Sequence, residues 1–139
     1  MQTITLRETE YLAFQLAKQY FEFDEPIPDF KTRFPHLLES CLAVPFQRFN
    51  KRDLYPGLIS KAAILFYLLI KNYPFQNGNK RIALTTLLVF LYKNNKWLKT
   101  DSQELYNFAV WVASSLAELK QKVIESIEFF IKSHLETLR

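Results

Sequence analysis

Two stretches of this chain are apolar almost all the way round at helical spacing. One runs through Ala62, Ala63, Ile64, Leu65, Phe66, Tyr67, Leu68, Leu69 and Ile70, the other through Ile82, Ala83, Leu84, Leu87, Leu88, Val89, Phe90, Leu91 and Tyr92. A helix with no polar face belongs inside a bundle, so the pattern predicts two neighbouring central helices, over residues 58–72 and from Asn79 onward. Elsewhere the apolar stripe is one-sided. Residues 7–21 carry it on Leu12, Phe14, Leu16, Ala17 and Tyr20, and a shorter helix follows over residues 34–43. Asp101 with Glu104 three residues later reads as a capping box for a helix through Tyr106, Phe108, Trp111 and Val112. Residues 116–138 read as a long, charged, amphipathic last helix. Two segments break the periodicity. Glu22-Phe23-Asp24-Glu25-Pro26-Ile27-Pro28-Asp29 is an acidic connection, because its prolines remove donors and restrict the residues before them. Residues 44–56, with Pro45, Phe46, Phe49 and the turn-forming Asn50-Lys51-Arg52-Asp53, predict a small β-hairpin flap. No repeat, linker or low-complexity run divides the chain, so residues 1–139 read as one all-α domain bearing that flap.

Composition supports a packed core: 49% of residues are apolar and only two are glycine. The net charge of +4 is spread along the chain, which suits a solvated surface and gives no reason to expect direct contact with nucleic acid. Cys41 has no cysteine partner and lies in an apolar run, so it reads as a small buried hydrophobe in a reducing cytoplasm. The first residues lack a basic start followed by an apolar stretch. The apolar runs are also broken by charge before about 18 residues. Both features point to a soluble, unprocessed cytoplasmic protein with no membrane partner. His36 and His134 have no second ligand at metal spacing, which argues against zinc.

The chemistry concentrates between the two central helices, in Tyr73-Pro74-Phe75-Gln76-Asn77-Gly78-Asn79-Lys80-Arg81. The first N–H groups of the helix opening at Asn79 have no intrahelical partner, Gly78 lets an anion reach them, and Lys80 and Arg81 add positive charge. That arrangement suits phosphate. A helix-connecting turn with Asn79 as an ordinary N-cap accounts for the same residues, and spacing alone leaves both readings open. A nucleotide would bring Mg²⁺, which usually takes carboxylates; the loop has none, and Asn77 offers only a neutral carbonyl oxygen.

The stretch from Lys71 to Leu84 resembles the Fic/Doc signature, His-x-Phe-x-Asp/Glu-Gly-Asn-Gly/Lys-Arg, and the flanking residues 34–113 resemble its death-on-curing (Doc) branch. The resemblance implies the all-α Fic/Doc fold, with ATP or another nucleoside triphosphate and Mg²⁺ as cofactors. It gives Gly78, Asn79, Lys80 and Arg81 the role of holding nucleotide phosphates. The flap, with Phe46, Arg48, Lys51 and Arg52, would align a target segment by strand-like pairing. Fic enzymes that transfer AMP carry a second arginine where this chain has Leu84, so the likeness favours Doc-type transfer of the terminal phosphate to a protein hydroxyl, with translation elongation factor Tu as the target implied by kinship. Two positions depart from the signature. Asn77 stands for the acidic metal ligand, and Tyr73 stands for the histidine that acts as general base. A phenol ionises only around pH ~10 and losing a general base costs on the order of 10² to 10⁴ in rate, so the resemblance implies impaired turnover. A natural pseudoenzyme, a tyrosine activated by Lys80 or Arg81, and an inactivating change in a toxin gene each account for Tyr73. The last is favoured because a His-to-Tyr codon change needs one base. The self-inhibiting Ser/Thr-x-x-x-Glu-Gly/Asn motif of many Fic proteins has no match here, which implies a Phd-like antitoxin that supplies an inhibitory helix in trans. The leading expectation is a Doc-like toxin of a toxin-antitoxin pair; the alternatives are a catalytically dead Fic-fold binding module and an AMP-transferring Fic enzyme.

Overall fold

Thr5 and Glu8 start the first helix reciprocally. The Glu8 N–H donates to the Thr5 hydroxyl at 3.1 Å and the Thr5 N–H donates to the Glu8 carboxylate at 2.9 Å, a capping box that starts the helix at Leu6, one residue ahead of the expected start. The computed structural model describes residues 1–138, and in it this helix, α1, covers residues 6–17 with a π-type middle at Thr9–Phe14. It stops four residues short of the expected end. Phe21 turns into the left-handed region (φ 59°), which frees the carbonyls of Ala17 and Tyr20 to accept from the Arg81 guanidinium.

Helix α2 (Pro35–Ala43) opens on proline, whose missing N–H costs nothing at a first helical position. The flap follows as β1 (Arg48–Phe49) paired antiparallel with β2 (Arg52–Asp53). Asn50 and Lys51 both take positive φ, the two-residue turn whose twist matches a hairpin. Helices α3 (Gly57–Lys71) and α4 (Asn79–Lys93) are the expected central pair: every residue from Lys61 to Ile70 is buried, and α4 buries Ile82, Ala83, Leu84, Leu87, Phe90 and Leu91. α3 packs on α4 and on the last helix, and α1 packs along α4.

Strand β3 (Lys96–Leu98) and helix α5 (Ser102–Ala113) come next, then α6 (Lys120–His134) and β4 (Leu135–Thr137). The expected helix over residues 116–138 is shorter at both ends. Its start is a separate turn at Ala117–Leu119, and its end becomes β4, which pairs antiparallel with β3 in the register Leu98↔Leu135. The strand wins because it buries Leu98 and satisfies the backbone: Lys99 N–H donates to His134 O at 2.7 Å and Leu138 N–H to Asn95 O at 3.0 Å. The capping box expected at α5 is half formed. Asp101 accepts from the Glu104 N–H at 2.7 Å, but the Glu104 carboxylate turns to the Thr100 hydroxyl (2.9 Å) and to His134 Nε2 (3.2 Å). The architecture is all-α with two small antiparallel hairpins, and its buried apolar residues form one contiguous cluster. Among the described residues no helix is long and apolar enough to cross a membrane. Cys41 is fully buried in α2, and burial pushes its thiol up to about 11, which removes it as a nucleophile at neutral pH.

Candidate functional site: the loop between the central helices

The loop from Asn72 to Gly78 is built by four anchors. Phe75 is buried against Phe14 and Phe30, with ring centroids 5.7 and 6.0 Å away. The Phe34 N–H at the head of α2 donates to Pro74 O at 2.9 Å. The Asn79 side chain closes the turn on itself, accepting from Phe75 N–H at 3.0 Å and donating to Phe75 O at 2.9 Å. Arg81, 4% exposed, donates Nε to Tyr20 O (2.9 Å), Nη1 to Glu25 O (2.8 Å) and Nη2 to Ala17 O (2.6 Å).

These anchors divide the four residues expected to hold phosphate. Asn79 and Arg81 spend their side chains on the scaffold. Three of the five guanidinium N–H groups of Arg81 are thereby committed to carbonyls, so the side chain braces the loop from inside. Gly78 and Lys80 remain. Gly78 occupies the cap position of α4 in a left-handed conformation (φ 72°, ψ 14°), a geometry that glycine adopts without strain. A Cβ there would also meet Ile27 Cδ1 at 3.0 Å and the Pro26 carbonyl oxygen at 3.1 Å. Its N–H, with the first N–H groups of α4, forms the positive end of the helix.

The structure brings to this cradle two residues that the sequence reading passed over. The acidic connection folds back on the loop. Glu25 Oε1 accepts from the Gly78 N–H at 3.2 Å, and Asp24 Oδ2 lies 3.8 Å from Lys80 Nζ. Asp24 is 11% exposed at its side chain, and its Oδ2 has no hydrogen-bond donor; the Lys80 ammonium is its charge partner, just beyond hydrogen-bond reach. Burial, and then the charges of Asp24 and Glu25, push the Tyr106 phenol above its ordinary value, so Tyr106 stands beside them as a protonated hydroxyl. Opposite charge between residues 22–29 and the Lys80-Arg81 pair was the one sequence signal for this contact.

Tyr73 and Asn77, the two departures from the signature, differ in setting. Tyr73 is 58% exposed with φ 49°. Asn77 Oδ1 is buried with no hydrogen-bond partner, an oxygen donor free to meet a hard cation. Activation of Tyr73 by Arg81 finds no support, because the Arg81 nitrogens are held by carbonyls on the α1 side.

The flap residues are likewise sorted. Phe46 packs edge-on against Phe90 at 5.9 Å and anchors the flap to the core. Arg48 Nε pairs with Asp53 at 3.2 Å, while Lys51 and Arg52 are exposed. Beneath them lies a residue the sequence reading missed. Lys61, 4% exposed within the apolar face of α3, donates to Asp53 Oδ2 (3.0 Å) and to Tyr55 O, and sits over the Phe46 ring at 5.7 Å. A lone lysine in an apolar helix needs acceptors, and the base of the flap provides them.

Comparison with known proteins agrees with this architecture. The chain is 36% identical over 73 residues to Toxin Doc of Mycolicibacterium smegmatis, an alignment covering 52% of this chain and 56% of that protein. The chain therefore spans little more than half the length of that relative. No solved structure matches. A sequence model described as the Fic/DOC family matches residues 3–91, which take in α1, the acidic connection, the flap and the whole loop, and on that match the chain belongs to the Fic/DOC family.

Proposed function

We propose that this protein is a Doc-like toxin of a toxin-antitoxin pair, a nucleotide-dependent enzyme that moves a phosphoryl group to a protein hydroxyl, with turnover impaired by Tyr73. The observation that carries the reading is the left-handed Gly78 at the head of α4 beside Lys80, which places backbone N–H groups and an ammonium at one spot suited to an anion. A bound Mg²⁺–ATP supplies the transferable phosphoryl group and neutralises part of its charge. Asn77 fits the metal's side of the site through its unpartnered Oδ1. Gly78 and Lys80 hold phosphate oxygens; Asn79 and Arg81 keep the loop in shape for them.

Tyr73 stands where the family base takes the proton of the target hydroxyl. A phenol keeps its own proton at neutral pH, so the target oxygen would attack without that help. Leu84 is fully buried, which supports phosphoryl over AMP transfer, since the arginine of AMP-transferring relatives would have to sit inside the core. The flap, with its exposed Lys51 and Arg52, is the edge on which a protein target would align, elongation factor Tu being the target kinship suggests. A Phd-like antitoxin would silence the site in trans. The second reading, a Fic-fold module that binds a partner and transfers nothing, is favoured by the same exposed Tyr73. Calorimetric titration with Mg²⁺–ATP tests phosphate binding. Lys80→Ala is expected to weaken binding roughly tenfold, the worth of one charge-assisted contact. Equal affinity in the variant and the parent chain defeats the assignment.

A further inference from the structure

We propose that the acidic connection is a built-in plug, in which Glu25 and Asp24 occupy the phosphate cradle of the same site and must leave before a nucleotide can enter. The inference rests on the nucleotide reading above and adds a regulator that lies within the chain itself.

Three contacts carry it. The Glu25 carboxylate takes the Gly78 N–H at 3.2 Å, the donor at the head of α4 that an incoming phosphate oxygen would use first. Asp24 lies against Lys80, 3.8 Å from its Nζ, so the one cation of the loop not spent on the scaffold already faces a carboxylate. The Pro26 carbonyl and Ile27 approach Gly78 so closely that a Cβ would meet them at 3.1 and 3.0 Å. Carboxylate oxygens on a helix N-terminus and an ammonium stand in for phosphate oxygens, and two negative charges in that place repel a polyphosphate.

The plug is also built to move. Glu25 is exposed, as are Glu22 and Phe23, and the segment is held to α4 by Arg81 through a backbone carbonyl that does not depend on the Glu25 side chain. Prolines at 26 and 28 keep it from joining either flanking helix. The Glu25 carboxylate can therefore swing off Gly78, uncovering the cradle from its exposed side, while Arg81 keeps its grip on Ala17 and Tyr20.

The experiment compares the parent chain with Glu25→Ala, an exposed position whose truncation leaves the Arg81 contacts in place. ATP with Mg²⁺ is titrated by calorimetry, and exchange of the Gly78 amide is followed by NMR in the free proteins. A plug that leaves about a tenth of the molecules open makes Glu25→Ala bind about tenfold more tightly, with faster Gly78 exchange. Equal or weaker ATP binding in Glu25→Ala, alongside measurable binding by the parent, overturns the plug and leaves the nucleotide reading standing. A Gly78 amide that exchanges at the same rate in both proteins overturns the Glu25 contact itself. Absence of ATP binding by both proteins at millimolar concentration overturns the plug together with the nucleotide site.

Discussion

Tyr73→His gains about 10²- to 10⁴-fold in the rate of group transfer, the range that a positioned general base contributes. The substitution is placed to act on chemistry without disturbing the fold. Tyr73 is more than half exposed and its backbone has φ 49°, a region in which histidine is found several-fold more often than most residues. The loop around it is fixed by Phe75, Asn79 and Arg81, none of which uses the residue 73 side chain. The imidazole would therefore enter a preformed site. The measurement is label transfer from ATP to purified elongation factor Tu and to a bacterial protein extract, with label on the γ-phosphate in one arm and the α-phosphate in the other. Transfer of γ-label by the variant, far above the parent chain, is the expected result. Transfer of α-label would instead make the protein an AMP transferase. No transfer in either arm would leave the binding-module reading in its place.

Arg81→Met costs about 3 to 5 kcal/mol of folding stability. The side chain is 4% exposed and donates to three carbonyls on segments far upstream, so its loss leaves Ala17 O, Tyr20 O and Glu25 O without their donor. Few single contacts in the chain join so many elements: the end of α1, the acidic connection and the first turn of α4 all meet at this guanidinium. Arg81→Lys recovers little, because a single ammonium cannot span three divergent acceptors as a planar fork does. Denaturant unfolding checks the size, and the thermal midpoint should fall on the order of 10 °C. A loss under about 1 kcal/mol would mean that α1 and the connection dock without Arg81.

The two readings of the loop residues show what local sequence can and cannot carry. Gly78 was legible as the turn that opens the second central helix, because a left-handed turn at a helix start needs no partner to be recognised. Asn79 was half legible: an amide at that position can bond an anion or brace the turn, and the structure uses it as a brace. The bracing role of Arg81 was not legible because a cation next to Lys80 looks like part of the same charge, whereas its acceptors lie more than 55 residues upstream. Asp24 and Glu25 went unnoticed for the same reason. The central helices were plain from their all-round apolar surface, and the flap from its prolines and turn residues. β3 and β4 were hidden because three residues of alternation, Leu135-Glu136-Thr137, at the end of an amphipathic helix differ little from another helical turn.

Site and scaffold come together in one proposal: that the head of α4, braced by Asn79 and Arg81, is a phosphate cradle lined by Gly78 and Lys80. The most direct test is a backbone-amide NMR titration of the Glu25→Ala protein with Mg²⁺–ATP. The account predicts saturable shifts concentrated at residues 77–80, with the amides of the α5 and α6 face unmoved. Shifts centred away from that loop, or none at millimolar ATP, would contradict it.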